Sequence, residues 1–291
     1  MKTYKLIGFF IVGLLMTSCS NNGSEEKYVK NILFTKIENE YNILFEYYDF
    51  STNEENYLII DTRGSDIEKL AISSVKNNKL NFRLCENVYI STEIIENETS
   101  MIFYIIKSLK IPVDTNVFCC LEDNIPDNLY DSIQTKLYNF SVTGGKVSGV
   151  MSLYDEAGKY SGGIILSRSK LVKYLPENQW KLLNVLTSNN HNFTLQFREG
   201  HMVAELENCN CYVDVRNRIT LNISARLKEY NGVANSILQE DLFKDLLKTE
   251  IKNIVSALYN DTVTAKECNL YWFVNKQTIA NDKMDIIVTI Y

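Results

Sequence analysis

Two histidines, His191 and His201, bound the acid–base chemistry open to this chain. A Ser-His-acid site would have to use one of them, and no G-x-S-x-G elbow presents a serine to either. Both sit at the margins of strand-like segments beside turn residues, where surface positions are the rule. Ser167-Arg168-Ser169-Lys170 carries the S-x-x-K spacing in which a lysine activates a serine. The companion S-D-N and K-T-G motifs of that chemistry are missing. Thr143-Gly144-Gly145-Lys146 is too short to cradle a phosphate, since that loop needs four residues between its glycines and a Ser or Thr after the lysine. Cys209-x-Cys211 is tighter than the C-x-x-C of redox and zinc sites, and no second pair completes four ligands. Carboxylates are plentiful, but none is marked out by spacing. No catalytic residue, metal site or cofactor is expected.

The cysteine with a chemical role is Cys19. Lys2 and Lys5 form a positive head, Leu6 to Met16 is apolar without a break, and Thr17, Ser18 and Cys19 close the run before a polar stretch. That is the layout of a secretory signal peptide. Its apolar centre is shorter than the roughly 20 residues a membrane-spanning helix needs. A cysteine at the cut after Met-Thr-Ser resembles the bacterial lipobox, in which the thiol is acylated and the peptide is cleaved before it. Each buried methylene then adds about 0.8 kcal/mol, so two or three chains hold a domain on a membrane face. A plain signal peptide with a chance cysteine is the competing reading.

After cleavage roughly 270 residues remain, enough for two or three domains. Composition is ordinary for a globular protein, with 45% hydrophobic and 23% charged residues and only 3 Pro. The formal charge of −6 becomes more negative once Lys2 and Lys5 are removed, and no basic stripe marks a nucleic-acid partner. Six cysteines remain beyond Cys19. A chain of this length builds a core without staples. Cys119 and Cys120 lie in the apolar run VFCCL, where free thiols act as small hydrophobes. Free thiols are favoured, with disulfides or a metal as the alternatives.

The pattern of elements fits an α+β fold in several units, with mixed or antiparallel sheets flanked by helices. Val29–Lys36 and Tyr41–Phe50 read as a hairpin, and Tyr57–Ile60 as a short strand. Ser65-x-x-Glu68 reads as a capping box before an apolar face of Ile67, Leu70, Ala71 and Val75. Asn87–Ser91 is a strand, Thr92–Lys110 one long helix stopped by Pro112, and Asn116–Glu122 a central strand. Asp127–Tyr138 looks helical. Val147–Tyr154 pairs with Gly163–Leu166, and Ser167–Tyr174 and Pro176–Leu186 read as helical pieces. Phe193–Phe197, Met202–Leu206, Cys211–Val215 and Ile219–Lys228 read as a four-stranded meander. The helix Ile237–Tyr259 follows, then strands Leu270–Asn275 and Asp285–Ile290. The expected units are a signal peptide (1–18), a lipidated tether (19–27), an N-terminal α+β domain (28–138), a short middle domain (139–190) and a C-terminal α+β domain (191–291).

The order of these units resembles one family. Gly162–Val185 (GGIILSRSKLVKYLPENQWKLLNV) is similar to a segment of the spore germinant-receptor C subunits, the Ger(x)C lipoproteins. Leu80–Leu109, Ile219–Gly232, the helix Leu242–Tyr259 and the strand Cys268–Val274 follow the family in order and spacing. The chain departs from it in three places. Ser20-Asn21-Asn22 stands where members carry a Trp-Asp pair, Asn139–Ser161 is shorter than usual, and Lys266-Glu267-Cys268-Asn269 replaces a junction that often contains Asp. The resemblance implies a non-enzymatic lipoprotein of three α+β domains, on the outer face of the spore inner membrane or the cell membrane. It would work beside integral membrane receptor subunits in sensing a nutrient germinant, whose identity and contact with this chain are left open. The only functional residue it transfers is Cys19, as the lipidation site. The alternative is an unrelated surface lipoprotein that binds a solute or an envelope polymer.

Overall fold

The computed structural model describes residues 27–37, 40–63, 66–121, 125, 134–155, 160–181, 193–197, 202–213, 219–230, 245–254, 256–257 and 284–290. The fold is α+β, as expected. Strands β1 (Lys27–Ile37), β2 (Glu40–Asp49) and β3 (Glu54–Arg63) form an antiparallel meander. Helix α1 (Ile67–Asn77) leads to the two-residue strand β4 (Leu80–Asn81) and then to β5 (Asn87–Ser91). Helices α2 (Thr92–Asn97) and α3 (Thr99–Ser108) precede β6 (Asn116–Cys120). A 3-10 turn (Leu137–Asn139) opens the run β7 (Ser141–Thr143), β8 (Lys146–Tyr154), β9 (Tyr160–Ser167) and β10 (Lys170–Pro176).

These ten strands make one sheet in the order β10-β9-β8-β6-β5-β1-β2-β3, with β4 on β1 and β7 on β8. Its centre, β8-β6-β5-β1, is parallel, and antiparallel hairpins extend it on both sides. The sheet is continuous across position 138/139, the boundary expected between the first and middle units. Side chains alternate along each strand, so one face gathers Ile32, Phe34, Val88, Ile90, Val117 and Cys119 against Ile67, Ala71, Ile94, Ile102 and Ile105 of the helices. Each fully buried side chain of this kind contributes roughly 1.5–3 kcal/mol. Every residue of β6 is buried, which is why NVFCC shows no polar alternation.

A second sheet holds β11 (Phe193–Phe197), β12 (Met202–Val213), β13 (Ile219–Tyr230) and β14 (Met284–Ile290) in that order. The last pair is parallel. Residues 245–254 are helical, with Leu247 and Ile251 buried.

Four expectations are corrected. The long helix over Thr92–Lys110 is two helices broken at Glu98, where φ is −139°. The capping box does not form: Asp66 holds the N-cap position without a side-chain hydrogen bond, which puts Glu68 one residue too early to reach back. Ser167–Tyr174 is not helical. Ser167 and Lys170 are cross-strand partners, and Arg168 and Ser169, both at positive φ (49° and 65°), turn the chain between them. Met202–Leu206 and Cys211–Val215 are not separate strands, because Glu207 is absorbed as a bulge in β12 instead of making a turn. The expected helix Asp127–Tyr138 and strand Leu270–Asn275 lie wholly or largely outside the described residues.

Candidate functional site

Cys19 lies outside the described residues, which begin at Lys27. Lys27 opens β1 eight residues after Cys19, which limits their Cα separation to about 28 Å. Lys27 is fixed by an ion pair to Asp49 at 3.7 Å and lies over the Tyr47 ring at 5.3 Å. Tyr28 meets Phe50 edge-on at 5.4 Å, and Phe50 meets Tyr48 in the same way at 4.8 Å. In register with this start, Lys27 pairs with Leu80 and Tyr28 with Asn81 of β4.

A cavity of about 550 Å³ opens at β4, with Lys79, Arg83 and Lys110 around Leu80, Phe82 and Leu109. The two lysines are placed there by helix termination. α1 and α3 both end in turns whose last residue, Lys79 or Lys110, takes a left-handed φ of 54° or 56°. Lys79 N–H donates to the Lys76 carbonyl and Lys110 N–H to the Lys107 carbonyl, which caps both helix ends. No carboxylate lines the cavity. Three cations around an apolar floor suit an anionic amphiphile rather than a cation or a sugar.

On the sheet face opposite the helices a polar row crosses five strands. Asn116 donates to Asn87 Oδ1 at 2.9 Å, Asn87 to Asn31 Oδ1 at 2.8 Å, and Asn31 to Glu46 Oε2 at 2.5 Å. Tyr57 closes the far end on Glu46 Oε1. The parallel registers make this row, since Asn31, Asn87 and Asn116 are direct partners. Asn116 Oδ1 accepts nothing from a described residue, which costs about 1–3 kcal/mol. Two residues further along β6 and β5, Phe118 stacks on Tyr89 at 5.6 Å, and Tyr154 meets Phe118 edge-on at 5.3 Å. Burial raises the Tyr89 hydroxyl well above its usual range, so that hydroxyl stays protonated near neutral pH.

The thiols that are described are chemically quiet. Cys85, Cys119 and Cys120 are free and buried. Burial pushes Cys85 and Cys120 up to about 12 and Cys119 well above its ordinary value, so none offers a thiolate. The free-thiol expectation holds for these three. Cys209 and Cys211 both lie in β12, and Cys268 lies outside the described residues. The S-x-x-K serine and lysine make no hydrogen bond to each other. Ser167 Oγ is buried without a partner, and Lys170 is exposed. His191 and His201 lie outside the described residues. Among the described residues no group of three or more His, Cys, Asp or Glu could hold a metal ion, and no helix is long and apolar enough to cross a membrane.

Sequence reasoning passed over Lys79, Arg83 and Lys110. Their signal was a lysine directly after each amphipathic helix, beside a leucine. It also passed over the repeated Asn-Val that opens both NVYIS and NVFCC, which the parallel register turns into a ladder.

No protein-family model matches this chain, and no curated protein does. Among solved structures, the chain is similar to the "Crystal Structure of the GerBC protein" at 11% identity and a TM-score of 0.45, over 89% of this chain and 96% of that one.

Proposed function

We propose that this chain is the lipid-anchored subunit of a spore nutrient receptor, held on the membrane by acyl chains on Cys19 and docked against integral membrane subunits. The sequence feature that carries the reading is the lipobox-like Met16-Thr17-Ser18 before Cys19, closing an expected signal peptide over residues 1–18, followed by segments that resemble the Ger(x)C lipoproteins in order. The role is non-enzymatic: anchorage and docking account for the buried thiols and for the absence of a catalytic spacing in the sequence. A docking face is on offer at the β3 edge of the large sheet. There Tyr57 and Ile59, on one face of the strand, are 61% and 58% exposed. Exposed aromatic and branched side chains on an unpaired edge are what a partner protein covers.

The test is cellular. Cys19→Ala should release the protein from the membrane fraction and impair germination. A tagged wild-type chain should co-purify with integral receptor subunits from spore membranes, and Ile59→Ser with Tyr57→Ser should weaken that co-purification. Full membrane retention of Cys19→Ala would overturn the anchorage.

A further inference from the structure

The cavity beside the tether has a consequence for orientation. β1 and β4 run parallel with Lys27 opposite Leu80, so the chain arriving from Cys19 enters the sheet on β1, directly beside the strand β4 that lines the cavity. Within about 28 Å of an acylated Cys19, this end of the sheet cannot stand far from the bilayer. The surface around it differs from the rest of the molecule. Residues 76–86 and 107–114 carry Lys76, Lys79, Arg83, Lys107 and Lys110 against Glu86 and Asp114, in a chain whose formal charge is −6. Arg83 and Lys110 make no ion pair with a described residue. Next to the cations in sequence are two exposed apolar side chains, Leu84 (56%) directly after Arg83 and Val113 (65%) three residues after Lys110. Cations interleaved with exposed aliphatic groups are the composition of a surface that lies on an anionic membrane.

We propose that the basic cavity rim of Lys79, Arg83 and Lys110, together with the exposed Leu84 and Val113 of the same two segments, is a second membrane contact that binds anionic phospholipid headgroups and turns this end of the large sheet toward the bilayer. The proposal rests on the lipid-anchor reading, because acylation of Cys19 is what brings this end to the membrane. The two attachments do different work. Acyl chains fix distance but leave the domain free to rotate. A basic patch on an otherwise acidic body fixes which side faces down, because the rest of the surface is repelled by anionic lipid.

The test separates the two. The mature chain from residue 19, carrying Cys19→Ser so that no lipid is attached, is mixed with vesicles of phosphatidylglycerol and phosphatidylcholine (3:7) or of phosphatidylcholine alone, and binding is read by sedimentation. Binding is expected to the anionic vesicles only, and to fall steeply when salt is raised to 0.5 M. Lys79→Glu, Arg83→Glu and Lys110→Glu together should weaken it by about 100-fold or more. Leu84→Ser with Val113→Ser, at exposed positions that leave the core intact, should weaken it by about tenfold. Equal binding to both vesicle types, no binding to either, or binding untouched by the charge reversal overturns the proposal. Acylation of the wild-type chain is followed separately by labelled palmitate in cells. Loss of that label would strike the anchor reading, while the vesicle result judges the patch.

Discussion

Lys36 shows how one side chain can set the course of a helix. It donates to Glu98 Oε1 at 2.5 Å and stands over the Tyr41 ring at 5.0 Å, and Tyr41 donates to the other Glu98 oxygen. Glu98 is the residue at which the expected helix breaks into α2 and α3, so its carboxylate ties that break to β1 and β2. The hydrogen bond to Glu98 raises the Lys36 ammonium above its usual value, and burial, followed by Glu98, raises the Tyr41 hydroxyl. Both shifts favour the protonated forms in the folded state. Their stabilisation is therefore complete below the unfolded values near pH 10 and is lost as pH rises through the folded ones. The urea midpoint of the wild-type protein should fall as pH rises above about 10, and Glu98→Gln should flatten that fall while lowering the midpoint at pH 7. An unchanged alkaline slope in Glu98→Gln would remove the triad from the account.

At the scale of elements, β9 carries the sharpest packing constraint. A Cβ on Gly163 would lie 2.4 Å from the Trp180 ring, whose Nε1 donates to Ser152 on β8 at 3.0 Å. Glycine is needed there so that the segment 177–181 can seat a fully buried indole on the sheet. Gly163→Ala should cost roughly 1–3 kcal/mol, seen as a lower urea midpoint and a shifted tryptophan emission. An unaltered midpoint would mean that the indole moves aside without cost. The same region shows what a sequence does and does not disclose. Val147–Tyr154 and Gly163–Leu166 were legible as strands because their apolar runs are long and bounded by glycines. The turn after them was not, because Arg168 and Ser169 take left-handed angles without the Asn-Gly chemistry that advertises such a turn. Ser169 is held there by its hydroxyl, which accepts from Val147 N–H and from Ser100 on α3. β10 then reads K-L-V-K-Y-L-P, an exposed edge strand whose polarity mimics a helix face. Of the candidate site, Cys19 could be proposed from sequence because a processing signal is a linear pattern. The cavity was not, because Lys79, Arg83 and Lys110 converge only once two helices end against β4.

The whole molecule turns on how far apart in sequence its central partners lie. Ile32 pairs with Val88, Val88 with Val117, and Phe118 with Ser152, so no two adjacent central strands are joined by a tight turn. Such non-local pairing makes the centre slow to form. β5, β6 and β8 are flanked by strands on both sides, whereas among the described residues β3 and β10 are edges. Native-state hydrogen exchange should therefore rank the amides by strand position. Val88 to Ile90, Val117 to Cys119 and Met151 to Leu153 should exchange slowest, by the global route. Those of β3 and β10 should exchange at least about 100-fold faster through local opening. The ranking also bears on the boundary that sequence placed at 138/139. A shared sheet requires β8 and β9 to open with β5 and β6, so their protection should fall together as denaturant is added. If β8 and β9 lose protection at lower denaturant than β5 and β6, the segment after 138 is a separately cooperative unit that merely borrows the edge of β6.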